Sequence, residues 1–176
     1  MSLEGFRLFV VMLGGRHVRA NTEVHDVVFA VAPAIEQTHE QLHRQWFGEP
    51  AGLHIDSWMM VDGIEQWQVR LSAEPPPEGS AKLYFVNLGG YIAGEFGEAH
   101  HNLLVVAGDA AEAKRKALAQ AAVQWFKPHR DALFEVDGCL ALGPIGGLHL
   151  HLHVGAHTGI ACHSDYIVLP ESPELS

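Results

Sequence analysis

Apolar residues along the chain fall into short, strand-length runs separated by turn residues. Phe6 to Leu13 and Val24 to Val31 are rich in β-branched and aromatic side chains, and His54 to Val61 and Ile64 to Leu71 follow the same pattern. Asp62-Gly63, between the last two runs, reads as a two-residue hairpin turn. Between the second and third runs the period becomes helical: Ile35, Leu42 and Trp46 share a stripe, and Pro33 suits a first helical turn. Residues 6–72 are thus expected to form strand, strand, helix, strand, strand. Gly14-Gly15, at the end of the first run, reads as the start of a hairpin loop needing positive φ; no helix follows to make a phosphate cradle of it.

The same order is then written again. Arg7-Leu-Phe-Val-Val-Met-Leu-Gly-Gly15 recurs as Lys82-Leu-Tyr-Phe-Val-Asn-Leu-Gly-Gly90, and Glu23-Val-His25 as Glu98-Ala-His100. Gln45-Trp46-Phe47 recurs as Gln124-Trp125-Phe126, His54-Ile-Asp56 as His129-Arg-Asp131, and Val61-Asp62-Gly63 as Val136-Asp137-Gly138. The offset is 75 residues at each block except Gln-Trp-Phe, where it is 79. A helix longer by about one turn of ~3.6 residues keeps Trp125 on the face that Trp46 holds. Asp109-Ala-Ala-Glu112 is a capping box for that second helix, Leu118, Ala122 and Trp125 are its apolar stripe, and Pro128 lies just past its end.

The expected architecture is therefore α+β, with repeats at 6–72 and 81–169, a Pro-rich linker at 73–80 and a tail at 170–176. Each repeat should form a mixed or antiparallel sheet with its helix on one face. The two should be related by pseudo-twofold symmetry, in a chain that assembles as a homodimer.

Composition narrows the class more than the function. With 48% hydrophobic and 18% charged residues, the chain can bury a sizeable core. The longest early apolar run, Leu8 to Leu13, falls short of the ~20 residues of a membrane helix, and no leader cleavage pattern follows it. Cys139 and Cys162 read as free thiols in a reducing cytoplasm. A net charge of −10, with eleven Lys and Arg in no stripe, argues against nucleic acid as a partner. Lys114-Arg115-Lys116 reads as a solvated helix face.

Nucleophilic catalysis has little support. There is no Gly-x-Ser-x-Gly elbow, and the adjacency of Cys162 and His163 does not make a dyad. Histidines and carboxylates remain. A helical crossover should leave the second and third strands parallel in one sheet, with their starts at the same end. Glu23 and His25 begin one, and His54 and Asp56 the other; the second copy offers Glu98, His100, His101, His129 and Asp131. Such a cluster can hold a divalent cation or move protons. Against it, a first strand lying between the two would hold the pairs apart by two spacings of ~4.8 Å each. Polar residues at strand starts also serve simply to cap loops.

The densest set of potential ligands is Gly147-Leu-His-Leu-His-Leu-His-Val-Gly155. Strand alternation puts His149, His151 and His153 on one face, and His163 could return beside them on the next strand. Imidazoles at i and i+2 can bind Zn²⁺ through nitrogens at ~2.0–2.1 Å. The first copy aligns Gln66, Gln68 and Arg70 there, a polar face that needs no metal.

Leu13-Gly14-Gly15-Arg16, Glu23-Val-His25-Asp26 followed by Val27-Val28-Phe29, and His54-Ile-Asp56-Ser57-Trp58 together resemble a small bacterial family of uncharacterised proteins with one or two copies of a short domain of unknown function. The first copy carries the resemblance well. The second departs from it, with His101 for the Asp and Asp131-Ala132-Leu133 for Asp-Ser-Trp. The resemblance implies a duplicated bacterial domain and supplies no activity. The leading expectation is a cytoplasmic, non-catalytic module that binds a small ligand or protein. One alternative is a divalent-metal protein, with zinc for example, using His149, His151, His153 and His163. The other is a small metal- or acid–base-dependent enzyme using the Glu-x-His and His-x-Asp pairs. No other cofactor is expected.

Overall fold

The structure is a computed structural model describing residues 3–92, 94–125 and 135–170; in the last turn of its second helix, residues 122–125, only the backbone is described. The chain forms two compact units. Unit 1 runs to Glu74 and takes in Pro144–His149 and the chain from His153 onward; unit 2 is Pro75–Gly143 with Leu150–Leu152.

Unit 1 opens with β1 (Arg7–Gly15) and β2 (Val24–Ala32), followed by a 3-10 turn (Ile35–Thr38), α1 (His39–Gln45) and β3 (His54–Val61). β1 is central, with β2 antiparallel on one side and β3 antiparallel on the other. The two flanking strands therefore run parallel, as the helical crossover between them requires. Phe9, Val11 and Leu13 point to the helix face, where they pack with Val28, Ala30, Leu53, Ile55, Ile35, Leu42 and Trp46. The helical stripe expected from the sequence is thus in the core.

Two glutamines, four apart on α1, also close the outer edge of β2. Gln45 accepts from Phe29 N–H and donates to Phe29 C=O at 3.3 and 2.8 Å, and Gln41 does the same at Val31 at 3.2 and 2.9 Å. These amides occupy backbone groups that would otherwise invite another strand.

Asp62-Gly63 is not the hairpin turn. β4 (Gly63–Ile64) pairs with β5 (Trp67–Ser72) through Gly63↔Gln68 and Ile64↔Trp67, so the turn lies at Glu65-Gln66, with Glu65 at φ 54°. The reason lies far along the chain. Asp62 accepts hydrogen bonds from the Thr158 N–H at 2.7 Å and the Thr158 hydroxyl at 3.0 Å, and its own N–H donates to Gly159 C=O at 3.0 Å. The Thr158 N–H, foremost, holds the Asp62 carboxyl below its ordinary pKa. Any Cβ at Gly63 would collide with the His157 ring.

The segment from 153 onward, assigned by the sequence reading to the second repeat, thus returns to unit 1. It continues as β10 (Ile160–His163) and β11 (Ile167–Val168), both antiparallel to β3. β9 (His149–Val154) lies beside β5 in a separate sheet of order β4-β5-β9.

In unit 2, β6 (Lys82–Gly90) is flanked by β7 (Ala99–Ala107) and β8 (Glu135–Ala141), both antiparallel, with α2 (Ala110–Trp125) between β7 and β8 in the chain. Asp109 caps α2 by accepting the Glu112 N–H at 2.8 Å, and Glu112 reaches back to the Gly108 N–H at 2.8 Å. The buried face is Ala113, Ala117 and Ala121, packed on Tyr84, Val86, Leu88 and Val105. The expected stripe is corrected at Leu118, which is 38% exposed. Leu118 is one position, about 100° of arc, from Ala117, and small residues at i, i+4 and i+8 let the helix close on the sheet. The side chains of Ala122 and Trp125, and Pro128, lie outside the described ones.

The strand registers of the two units correspond differently from the aligned strings. Gly15↔Val24 and Gly90↔Ala99 correspond at 75 residues, as do the register shifts at Met12/Leu13 and Asn87/Leu88. Opposite them, His54, Ile55 and the bulged Asp56 of β3 correspond to Glu135, Val136 and the bulged Asp137 of β8. Asp137 is thus the counterpart of Asp56, not of Asp62, and His54-Ile-Asp56 is not matched by His129-Arg-Asp131. The strand that answers β3 begins six residues later than the shared His-x-Asp string suggests.

Among the described residues, no helix is long and apolar enough to cross a membrane. Both cysteines are free.

Candidate metal centre over a glycine

Gly14 pairs with His25 of β2 on one side and with His54 of β3 on the other. Residues directly opposite in a sheet project from the same face, so the two imidazoles flank the glycine. Glu23, two residues before His25, shares that face, and the bulge in β3 turns Asp56 toward it.

Gly14 and Gly15 therefore lie within β1, not in a loop, and neither has positive φ. Each is needed for space, on opposite faces. A Cβ at Gly14 would stand 2.5 Å from His54 Nε2, 2.6 Å from Glu23 Oε1 and 2.7 Å from Asp56 Oδ2. A Cβ at Gly15 would stand 2.8 Å from the Trp46 ring. The missing side chain at Gly14 is what lets groups two strand spacings apart meet.

They meet closely. His54 Nε2 lies 2.7 Å from Glu23 Oε1 and 3.3 Å from Asp56 Oδ1; His25 Nε2 lies 3.0 Å from Asp56 Oδ2 and 3.6 Å from Glu23 Oε1. His54 is only 4% exposed, whereas His25 and Glu23 are about half exposed. His54 Nδ1 lies 2.9 Å from the Gly52 carbonyl, which can only accept, so Nδ1 carries a proton and Nε2 is the nitrogen turned toward the carboxylates. The Tyr166 ring packs on the imidazole at 4.4 Å between centroids.

Nε2 is buried and has no hydrogen-bond partner. Glu23 is close enough for an ion pair but out of line for a hydrogen bond. His54 Nε2, Glu23 Oε1 and Asp56 Oδ2 thus all border the space over Gly14, an arrangement that could hold a cation.

The corresponding place in unit 2 is built differently. Glu98, His100 and Asp137 gather at Gly89, with His100 Nδ1 3.4 Å from Asp137 Oδ2 and His100 Nε2 4.0 Å from Glu98 Oε2. His100 Nδ1 also lies 3.3 Å from Asn87 Oδ1, and Asn87 donates to Asn102 at 2.6 Å. All three members of the cluster are exposed, and the position of the buried His54 is taken by exposed Glu135. His101 pairs with Leu88, one register position away and so on the other face. His129 and Asp131 lie outside the described residues.

The histidine strand is not drawn into either cluster. His149 and His151 are half-buried and His153 is exposed on β9, while His163 lies on β10, in a different sheet. The His163 ring stacks on Trp58 at 3.9 Å and 10°, with Nδ1 3.9 Å from Asp165. Among the described residues, ligand atoms of three or more side chains converge within 4.8 Å at Glu23, His25 and Asp56 and at Glu98, His100 and Asp137. Sequence reasoning missed Asp137 and Glu135. The signal that could have found them was co-register with the glycine, not string identity.

An open groove of about 510 Å³ adjoins the unit 1 cluster. Its walls include Arg16, His17, Asn21, Thr22 and Glu49, together with Glu23, which belongs to both groove and cluster.

No curated protein matches the chain. The solved structure of a protein Il1583 from Idiomarina loihiensis is similar to it, with a TM-score of 0.72 and 28% identity over 95% of this chain and 99% of that one. Residues 20–71 match the model of a Domain of Unknown Function (DUF1543), so the segment that carries Glu23, His25, His54 and Asp56 matches a small bacterial domain of unknown function.

Proposed function

We propose that this domain is a divalent-metal-binding module, with His54, Asp56, Glu23 and His25 as its ligands. The observation that carries the reading is His54 Nε2, buried, without a hydrogen-bond partner and aimed with two carboxylates at the space over Gly14. A proton on Nε2 would ease the repulsion but would find no acceptor in line. A dication would answer the carboxylates that face His54 Nε2, and Glu23, His25 and Asp56 have ligand atoms within 4.8 Å of one another. The bond from His54 Nδ1 to a backbone carbonyl is the support that metal-bound imidazoles commonly have, since it fixes ring and tautomer.

Two imidazoles with two carboxylates suit a borderline cation such as zinc. The exposure of His25 and Glu23 leaves one side of the site open for a further ligand. This reading sharpens the expected binding module, and it moves the metal from His149, His151, His153 and His163 to the glycine row.

The test is elemental analysis of protein purified without a metal column, followed by zinc titration calorimetry. One equivalent per chain is expected, with His54→Ala lowering affinity at least 100-fold while the fold, read by circular dichroism, is retained. No uptake by the native chain, or equal uptake by His54→Ala, would overturn the reading.

A further inference from the structure

The loop from Arg16 to Glu23 forms a wall of the groove beside the cluster, and its chemistry is cationic and polar. Arg16 is exposed and has no carboxylate partner among the described residues. Its backbone is nevertheless pinned, because the Arg16 carbonyl accepts the Glu49 N–H at 2.8 Å. Arg16 is thus anchored in the wall of a groove that also holds Asn21, Thr22 and His17 as hydrogen-bonding groups. About 510 Å³ is room for a small metabolite.

The corresponding loop of unit 2 has lost this character. It carries Tyr91, Ile92, Glu95 and Phe96, with Phe96 fully exposed.

We infer that the groove is an oxyanion subsite: a small ligand bearing a phosphate or carboxylate group binds with that group on Arg16 while its other end reaches the cation held over Gly14. This rests on the metal reading. Glu23 joins the two places, since it lines the groove and belongs to the cluster. Charge explains why the cation strengthens the subsite. Without a cation, Glu23, Asp56 and Glu49 outweigh Arg16; a dication neutralises Glu23 and Asp56 and leaves Arg16 to offset Glu49. A planar guanidinium then offers paired donors to either kind of oxyanion.

The test is calorimetric titration of zinc-loaded protein, freed of excess zinc, with inorganic phosphate in one arm and acetate in the other. Binding is expected in at least one arm, and the stronger arm identifies the class of group. Arg16→Gln should weaken it at least tenfold while keeping one equivalent of zinc, whereas Arg19→Gln, outside the groove wall, should change it less than twofold. Equal affinity in Arg16→Gln, or no binding in either arm, would overturn the inference. Should the protein take up no zinc, the metal reading falls by itself. The same titrations of the metal-free chain then decide this one: Arg16-dependent binding upholds the subsite, and its absence removes it.

Discussion

Gly14 and Gly89 occupy the same place in two three-stranded arrangements, each followed by a second glycine and each flanked by a Glu-x-His strand, yet they sit under different chemistry. Over Gly14 an imidazole is buried, fixed through Nδ1 and left without a hydrogen-bond partner at Nε2. Over Gly89 the imidazole is exposed and lies within reach of Asn87 and Asp137. The glycine only makes room. What fills the room is decided by the third strand, which supplies His54 in one unit and Glu135 in the other. A convergent cluster of titratable side chains is not yet a site; burial without a hydrogen-bond partner is what sets the first apart from the second.

The largest test of this contrast is to fill the two gaps. Gly14→Ala places a methyl among the donor atoms and should abolish zinc binding, a loss of 100-fold or more by calorimetry. Gly89→Ala should leave the stoichiometry at one. Equal loss in both variants would erase the distinction.

A smaller effect is expected from restoring the missing imidazole. Glu135→His should add a second, weaker zinc equivalent per chain, detectable by titration at micromolar protein. The converse substitution, His54→Glu, should leave none.

The smallest effect concerns Asp62, whose carboxyl is held low first by the Thr158 N–H. A depressed carboxylate stabilises the fold above its ordinary pKa, and that contribution is lost as pH falls through the depressed value. Asp62→Asn should therefore cost about 1 kcal/mol at neutral pH. The difference from the native chain should vanish in strong acid, as read by urea denaturation at several pH values. A pH-independent difference would exclude the charge as its cause.

Much of the fold was legible in local pattern. The apolar runs became β1, β2 and β3, and Ile35, Leu42 and Trp46 became the core face of the first helix, because periodicity reports directly which side is buried. The Asp109 cap was legible for the same reason, being a contact between near neighbours. The hairpin at Asp62-Gly63 was not, since Thr158 and Gly159 claim those groups from almost a hundred residues away. Nor was the alanine face of α2: how closely a helix approaches a sheet depends on the partner surface, and Leu118 looked the better core residue in isolation.

The sequence by itself determined the donors: Glu-x-His, His-x-Asp and the glycine pair are all plain in it. Tertiary structure alone decided that they form one place. Strand order put β1 between the two motifs, which should have kept them apart, and register put Gly14, one of its two residues without a side chain, in the row between His25 and His54. Register is a long-range property, set by the pairing of whole strands and by a bulge at Asp56. A six-residue gain before β8 is therefore enough to put Glu135 where His54 would be, while leaving the strings that suggest equivalence intact.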